Sequence, residues 1–154
     1  MSNEHGIPRE WGAFLAATDG SDGALRAVDA AATLAAALTA DLWILNVVDD
    51  KAEPFLSGFA HAEEASIGDA VDAMAHRILL EAATRSKERG ATRVHTLLRS
   101  GDSADEIVAA ARTLGVSCIF VGRRGAGGRL AQALMGSVSQ KLAGLSPIML
   151  GIVP

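Results

Sequence analysis

Apolar and polar positions fall along this chain in blocks whose spacing switches repeatedly between strand-like and helix-like. The apolar run Ala13-Phe14-Leu15-Ala16-Ala17 predicts a first strand, stopped by Thr18-Asp19-Gly20-Ser21. From Asp22 to about Leu38 the apolar positions Leu25, Val28, Ala32 and Ala35 recur at helical spacing. Residues 42–48 form a second apolar run, broken by Asn46, and predict a second strand. Residues 49–66 read as an irregular loop holding Pro54 and Gly58. Ile67, Val71, Met74, Ile78 and Ala82 then return to helical spacing, with Gly90 as the stop. Residues 93–98 alternate polar and apolar, as in a strand nearer a sheet edge.

Ser103-Ala104-Asp105-Glu106 has a capping-box pattern and opens a helix through Ile107, Ala111 and Leu114, which Gly115 ends. Cys118-Ile119-Phe120-Val121 is apolar throughout, which suits a strand covered on both faces. A glycine-rich loop, a short helix through Val138, Leu142 and Leu145, and a last strand over 147–153 complete the pattern. Five short strands separated by four helices predict an α/β fold, a doubly wound five-stranded parallel sheet with helices on both faces. No linker or repeat divides the chain, so residues 1–154 read as a single domain with its core over about 12–153.

Composition narrows the function classes. At 154 residues the chain can bury a core without disulfides or metals, and aromatics make up only 4% of it. A net charge of −4 argues against nucleic acid and anionic membrane as partners. The lone Cys118 excludes an intrachain disulfide and a cysteine-based zinc site, and reads as a small core hydrophobe. The start, Met1-Ser2-Asn3-Glu4-His5-Gly6, shows no signal-peptide pattern, and the small-apolar stretch at 30–40 is too short to span a bilayer. The expected location is the cytoplasm.

In a doubly wound sheet, ligands sit beyond the carboxyl ends of the strands, where strand order reverses. Two segments end strands in the required way. Thr18-Asp19-Gly20-Ser21 follows the first strand, and Gly122-Arg123-Arg124-Gly125-Ala126-Gly127-Gly128 follows the fourth, with Gly136-Ser137 opening the last helix. Glycines let successive backbone N–H groups turn inward around anionic oxygens, and a helix start adds free amides and a favourable dipole. Arg123, Arg124 and Arg129 add positive charge. Each feature also has a plainer reading: a flexible turn for the glycines, a helix cap for Ser137, solvated arginines, and a turn cap for Asp19.

The combination of Ala17-Thr18-Asp19-Gly20-Ser21, Asn46-Val47-Val48, Val121-Gly122-Arg123-Arg124-Gly125 and Gly136-Ser137-Val138, followed by Pro147-Ile148-Met149-Leu150, resembles the universal stress protein family. The resemblance covers residues 12–153 and is weakest over 49–66. It implies a Rossmann-like, adenine nucleotide alpha hydrolase-like sheet of strand order 3-2-1-4-5, and ATP, with Mg2+ as an accompanying ion, as the cofactor. It further implies that Ala17 lines the adenine site, Asp19 contacts the ribose or adenine end, and the backbone of Val47 reads the base edge. Gly122 and Gly125 then face ribose and phosphates, Val121 belongs to the same nucleotide site, and Gly136, Ser137 and Val138 donate to the phosphates. A homodimer through the last strand is implied as well, and the apolar 148–153 segment would otherwise be an exposed edge. Ten residues, 126–135, separate Gly125 from Gly136, one more than in ATP-binding members. The extra residue either sits harmlessly in the loop or shifts the glycines against the helix start.

Other sites are set aside. The chain has no P-loop sequence, and 125–130 lacks the third glycine of a dinucleotide fingerprint. His5, His61, His76 and His95 are dispersed, so no metal site is assigned. Asp49 and Asp50 are open to two readings, a magnesium ligand pair or a solvated loop. No catalytic base stands near the proposed phosphates. The expected function is therefore an ATP-binding regulatory, stress-response module acting through nucleotide-dependent conformation and an unidentified protein partner. Its rivals are a dimeric interaction protein without nucleotide and a slow ATPase.

Overall fold

The computed structural model describes residues 11–49, 64–125 and 135–154, with the side chains of 64–67 left aside. Most of the irregular loop at 49–66, with Asp50 and His61, lies outside the described residues, as do His5, Arg129 and residues 126–134. The described strands are β1 (Ala13–Ala17), β2 (Asp41–Val48), β3 (Val94–Ser100), β4 (Cys118–Gly122) and β5 (Met149–Val153). The helices are α1 (Asp22–Leu38), α2 (Glu64–Glu88), α3 (Ser103–Leu114) and α4 (Ser137–Leu145). All strand pairs are parallel and the order is β3-β2-β1-β4-β5, the expected doubly wound sheet. The chain steps outward from β1 to β3, then returns across the sheet to β4. Strand order therefore reverses between β1 and β4.

Alternate residues of the central strands feed two cores, one on each face of the sheet. Phe14, Ala16, Leu42, Ile44 and Phe120 join the alanine face of α1 and the inner positions of α2. Leu15, Leu45, Ile119 and Val121 join α3 and Leu142 of α4. Phe14, Leu15, Leu42, Ile44, Leu45 and Ile119 are fully buried, each worth about 1.5–3 kcal/mol relative to exposure. Ala27, Ala31, Ala32 and Ala35 of α1 are also buried, so this helix lies close to the sheet with little side-chain bulk between. Cys118 is part of this packing, and burial pushes its thiol up to about 11.

Several elements depart from the expected bounds. Helix α2 starts at Glu64, inside the segment expected to be irregular, and its buried positions among the described side chains are Ala75, Leu79, Ala82 and Ser86. Met74, expected on the apolar face, is 66% exposed. Val71 is half-buried, so this end of α2 shares the apolar spacing but packs less closely than the stretch from Ala75 to Ser86. At α3 the cap is Asp102, whose carboxylate accepts from the Asp105 amide at 3.1 Å. Ser103, the expected cap, is instead the first helical residue. Helix α1 is capped by Ser21 and closed by Thr39 in the left-handed region at φ 52°.

Two side-chain clusters tie helices together. Asp29 of α1 accepts two hydrogen bonds of 2.6 Å from Arg85 of α2, and Arg89 joins the same carboxylate at 2.7–2.8 Å. The Arg85 hydrogen bonds outweigh desolvation and hold the Asp29 carboxyl below its ordinary range. On the other face, Lys141 of α4 reaches Asp102 at 2.8 Å and Asp105 at 3.0 Å. No helix among the described residues is long and apolar enough to cross a membrane.

Candidate functional site

The first wall of the site is the turn after β1, which is closed by its own side chains. The Thr18 amide donates to the Leu45 carbonyl at 2.8 Å, carrying the ladder one residue past β1. Asn46, the polar interruption in β2, is buried and donates from Nδ2 to the Thr18 carbonyl at 2.7 Å. The residue that broke the apolar run thus satisfies a carbonyl at the strand end. Thr18 Oγ1 accepts from the Gly20 amide at 3.1 Å, and Asp19 Oδ1 accepts from the Ser21 amide at 2.9 Å. Gly20 stands at φ 82°, a conformation in which a side chain would be strained. The turn-capping reading of Asp19 is therefore realised by one carboxylate oxygen. The other, Oδ2, lies 2.9 Å from where a Cβ on Gly125 would stand, so the same side chain also borders the glycine-rich turn.

The second wall is main chain packed on main chain. A Cβ on Gly122 would lie 2.7–2.9 Å from backbone atoms of Gly23 and Ala24, and a Cβ on Gly23 would lie 2.8 Å from the Arg124 carbonyl. The end of β4 and the first turn of α1 touch only because neither glycine carries a side chain. Gly122 is thus required for this contact as well as bordering the cavity. Gly23 was not singled out in the sequence. Its signal was a lone glycine in the opening turn of an alanine-rich helix, where it costs helical stability without an evident return.

The third wall is the start of α4. Gly136 is its cap, in extended backbone at φ −65° and ψ 159°, with no side-chain capping bond. Ser137 is the first helical residue, so the reading of Ser137 as a cap does not hold. The first-turn amides have no acceptor within the helix, the first α-helical bond being Gln140 to the Gly136 carbonyl at 3.0 Å. The Gly136 amide donates to the Arg123 carbonyl at 2.7 Å, and the Gly125 amide nitrogen is 3.5 Å from a Cβ built on Gly136. Gly125 and Gly136 therefore abut although ten residues separate them in sequence. The longer spacing does not hold the glycine turn away from the helix start.

These walls enclose a cavity of about 450 Å³ at the carboxyl ends of β1, β2 and β4, over the point where strand order reverses. Ala17, Asp19, Val47, Val121, Gly122, Gly125, Gly136, Ser137 and Val138, the nine positions singled out in the sequence, all line it. Thr18, Ala24, Leu45, Ser103, Ile107, Arg124 and Ser139 line it as well. Ser103 and Ile107 were missed as site residues because they belong to α3, outside the glycine pattern. With Asp102 as the cap, Ser103 stands one position into the helix and borders the cavity. Ala17, Leu45, Val47, Ile107 and Val121 give one part of the cavity an apolar lining, while Asp19, Ser103, Arg124 and Ser137 give it polar groups. The first turns of α1, α3 and α4 each contribute a lining residue, so three positive dipole ends meet there. Among the described residues, no three His, Cys, Asp or Glu side chains gather as a metal-binding group.

Comparison with known proteins agrees with this architecture. The family model described as the universal stress protein family matches residues 11–154. Universal stress protein YxiE of Bacillus subtilis (strain 168) is 36% identical over 138 residues, which cover 86% of this chain and 92% of that protein. A crystal structure of a universal stress protein in complex with cAMP shares 30% identity at a TM-score of 0.68, over 94% of this chain and 97% of that one. The universal stress protein UspA from Lactobacillus plantarum has a TM-score of 0.78 over 96% of this chain and 100% of its own, and at 21% identity it speaks for the fold alone. With a family model spanning nearly its whole length, and a relative of that identity and coverage, this chain belongs to the universal stress protein family.

Proposed function

We propose that this chain is a single-domain, cytoplasmic adenine-nucleotide-binding module whose ligand is ATP. The observation that carries the reading is the cavity at the strand-order reversal, lined both by apolar side chains and by first-turn residues of α1, α3 and α4. Its volume, about 450 Å³, falls within the range of about 300–1,000 Å³ usual for small-molecule sites. The base would lie against Ala17, Val47 and Val121, with Asp19 toward the ribose. The phosphates would lie against the amides of Gly125, Ser137 and Val138, where the α4 dipole favours negative charge. The cAMP complex of a 30% identical relative supports an adenine nucleotide as the ligand class. A magnesium ion arriving with ATP would take most of its ligands from phosphate oxygens and water.

The same reading includes a homodimer. Strand β5 is an edge of the sheet, with Leu150, Ile152 and Val153 half-buried and Met149 exposed, and a partner strand would cover it. Nucleotide occupancy would reach a protein partner through the residues around the cavity mouth.

The test is an equilibrium titration of the purified chain with ATP, adenosine, cAMP and GTP. ATP binds and GTP binds at least about tenfold more weakly, because a base edge read by fixed backbone groups rejects the wrong pattern. Absence of affinity for every adenine ligand would favour the rival, an interaction protein of this family that works without nucleotide.

A further inference from the structure

The backbone of Arg123 is a junction between three parts of the fold. Its amide donates to the Val153 carbonyl at the end of β5 at 2.7 Å. Its carbonyl accepts from the Gly136 amide at 2.7 Å and from the Ser139 hydroxyl at 2.8 Å. Ser139 is 2% exposed, and its hydroxyl also lies 3.0 Å from the Gly136 carbonyl. A serine inside a helix commonly bonds a carbonyl one turn back, and the Gly136 contact is of that kind. The Arg123 contact differs, because it crosses sixteen positions of sequence and joins two elements.

We propose that Ser139 is a positioning residue that sets the aim of the α4 amides at the anion site, an inference that rests on the nucleotide reading above. One hydroxyl proton serves the carbonyl at the end of β4 and the carbonyl at the start of α4. With the Gly136 amide bond, it fixes the helix start against the glycine turn at two points on one carbonyl. The first-turn amides of Ser137 and Val138 then take their direction from this lock. Lys141 holds the other side of α4 to Asp102 and Asp105, but these side chains are 38–63% exposed, so water competes with that clamp. The buried contact dominates.

The test compares Ser139→Ala with the wild-type chain in two measurements. Amide hydrogen exchange reads the lock without any ligand. The Gly136 amide exchanges about three- to tenfold faster in the variant, while core amides such as Leu15 are unchanged. Titration then reads the consequence: ATP binds about three- to tenfold more weakly and adenosine, which lacks phosphates, binds as before. A general loss of structure would move core exchange and adenosine affinity together, so it overturns the positioning role. Unchanged Gly136 exchange overturns the lock, and faster exchange with unaltered ATP affinity overturns its link to the site. Ser139→Thr, which keeps the hydroxyl, restores ATP affinity; failure to do so counts against the hydroxyl. A wild-type chain that binds neither ATP nor adenosine overturns the nucleotide reading and the link to it, with hydrogen exchange still deciding the lock.

Discussion

The two turns that border the cavity solve the same problem with different material. The turn after β1 spends its side chains on itself: Thr18, Asp19 and Ser21 each accept from an amide two or three residues on. The turn after β4 uses almost no side chains. It depends on missing Cβ atoms at Gly122, Gly125 and Gly136, on one carbonyl of Arg123, and on Ser139 beneath it. The first arrangement satisfies its own donors and becomes a rigid ledge. The second leaves the first-turn amides of α4 without an acceptor in their own helix, at residues that border the cavity. Self-satisfaction makes scaffold, and the unsatisfied helix start is what can bind an anion.

Replacing glycines in the second turn separates scaffold from site. Gly122→Ala has the largest expected effect, because its Cβ meets backbone of Gly23 and Ala24 at 2.7–2.9 Å and backbone cannot swing aside. We expect about 2–3 kcal/mol of destabilisation in urea melts, and a Tm lower by about 5–10 °C.

Next is a change remote from both turns. Asp29→Asn leaves Arg85 and Arg89 facing a neutral amide and costs about 1–2 kcal/mol, moderated because both arginines are partly solvated. ATP affinity stays at the wild-type value. The Asp29 carboxyl is held below its ordinary range in the folded state, so it binds fewer protons there than when unfolded. Its contribution is complete above the unfolded value of about 3.9 and disappears as pH falls through the lower folded value. Urea melts between pH 6 and pH 3 therefore show a steeper acid loss for wild type than for Asp29→Asn.

Gly125→Ala has the smallest effect on stability. Among the described residues its Cβ would meet the Asp19 carboxylate alone, at 2.9 Å, a side-chain end that can rotate, so destabilisation stays within about 1 kcal/mol. Moving that carboxylate disturbs the ledge facing the glycine turn, and ATP affinity falls by about threefold or more. Equal stability losses for the Gly122 and Gly125 variants would erase the distinction between the two glycines.

The fold was legible because the cores on both faces of the sheet impose periodicity on most elements. Strand β1 and helix α1 were read with the bounds they have, since turn chemistry at 18–21 and apolar spacing agree. The first three residues of α2, 64–66, were not, because the apolar spacing that reveals the helix begins only at Ile67. Asp102 and Ser103 are both good caps and adjacent in sequence, so only coordinates assign the role to Asp102. Nine lining residues were readable because they sit in a linear pattern of glycines and strand ends. Ser103, Ile107 and Ser139 reach the cavity by tertiary packing, and Gly23 owes its identity to a contact with a residue about a hundred positions away.

The most direct measurement uses a substitution that deletes one amide and little else. Ser137 is the first helical residue, where proline is tolerated, and Gly136 before it already has the extended backbone that a following proline requires. If main-chain donors hold the phosphates, calorimetric titration shows Ser137→Pro binding ATP about 10- to 100-fold more weakly, with Ser137→Ala far less affected and adenosine binding unaltered in both. Wild-type affinity for ATP in the proline variant would contradict it.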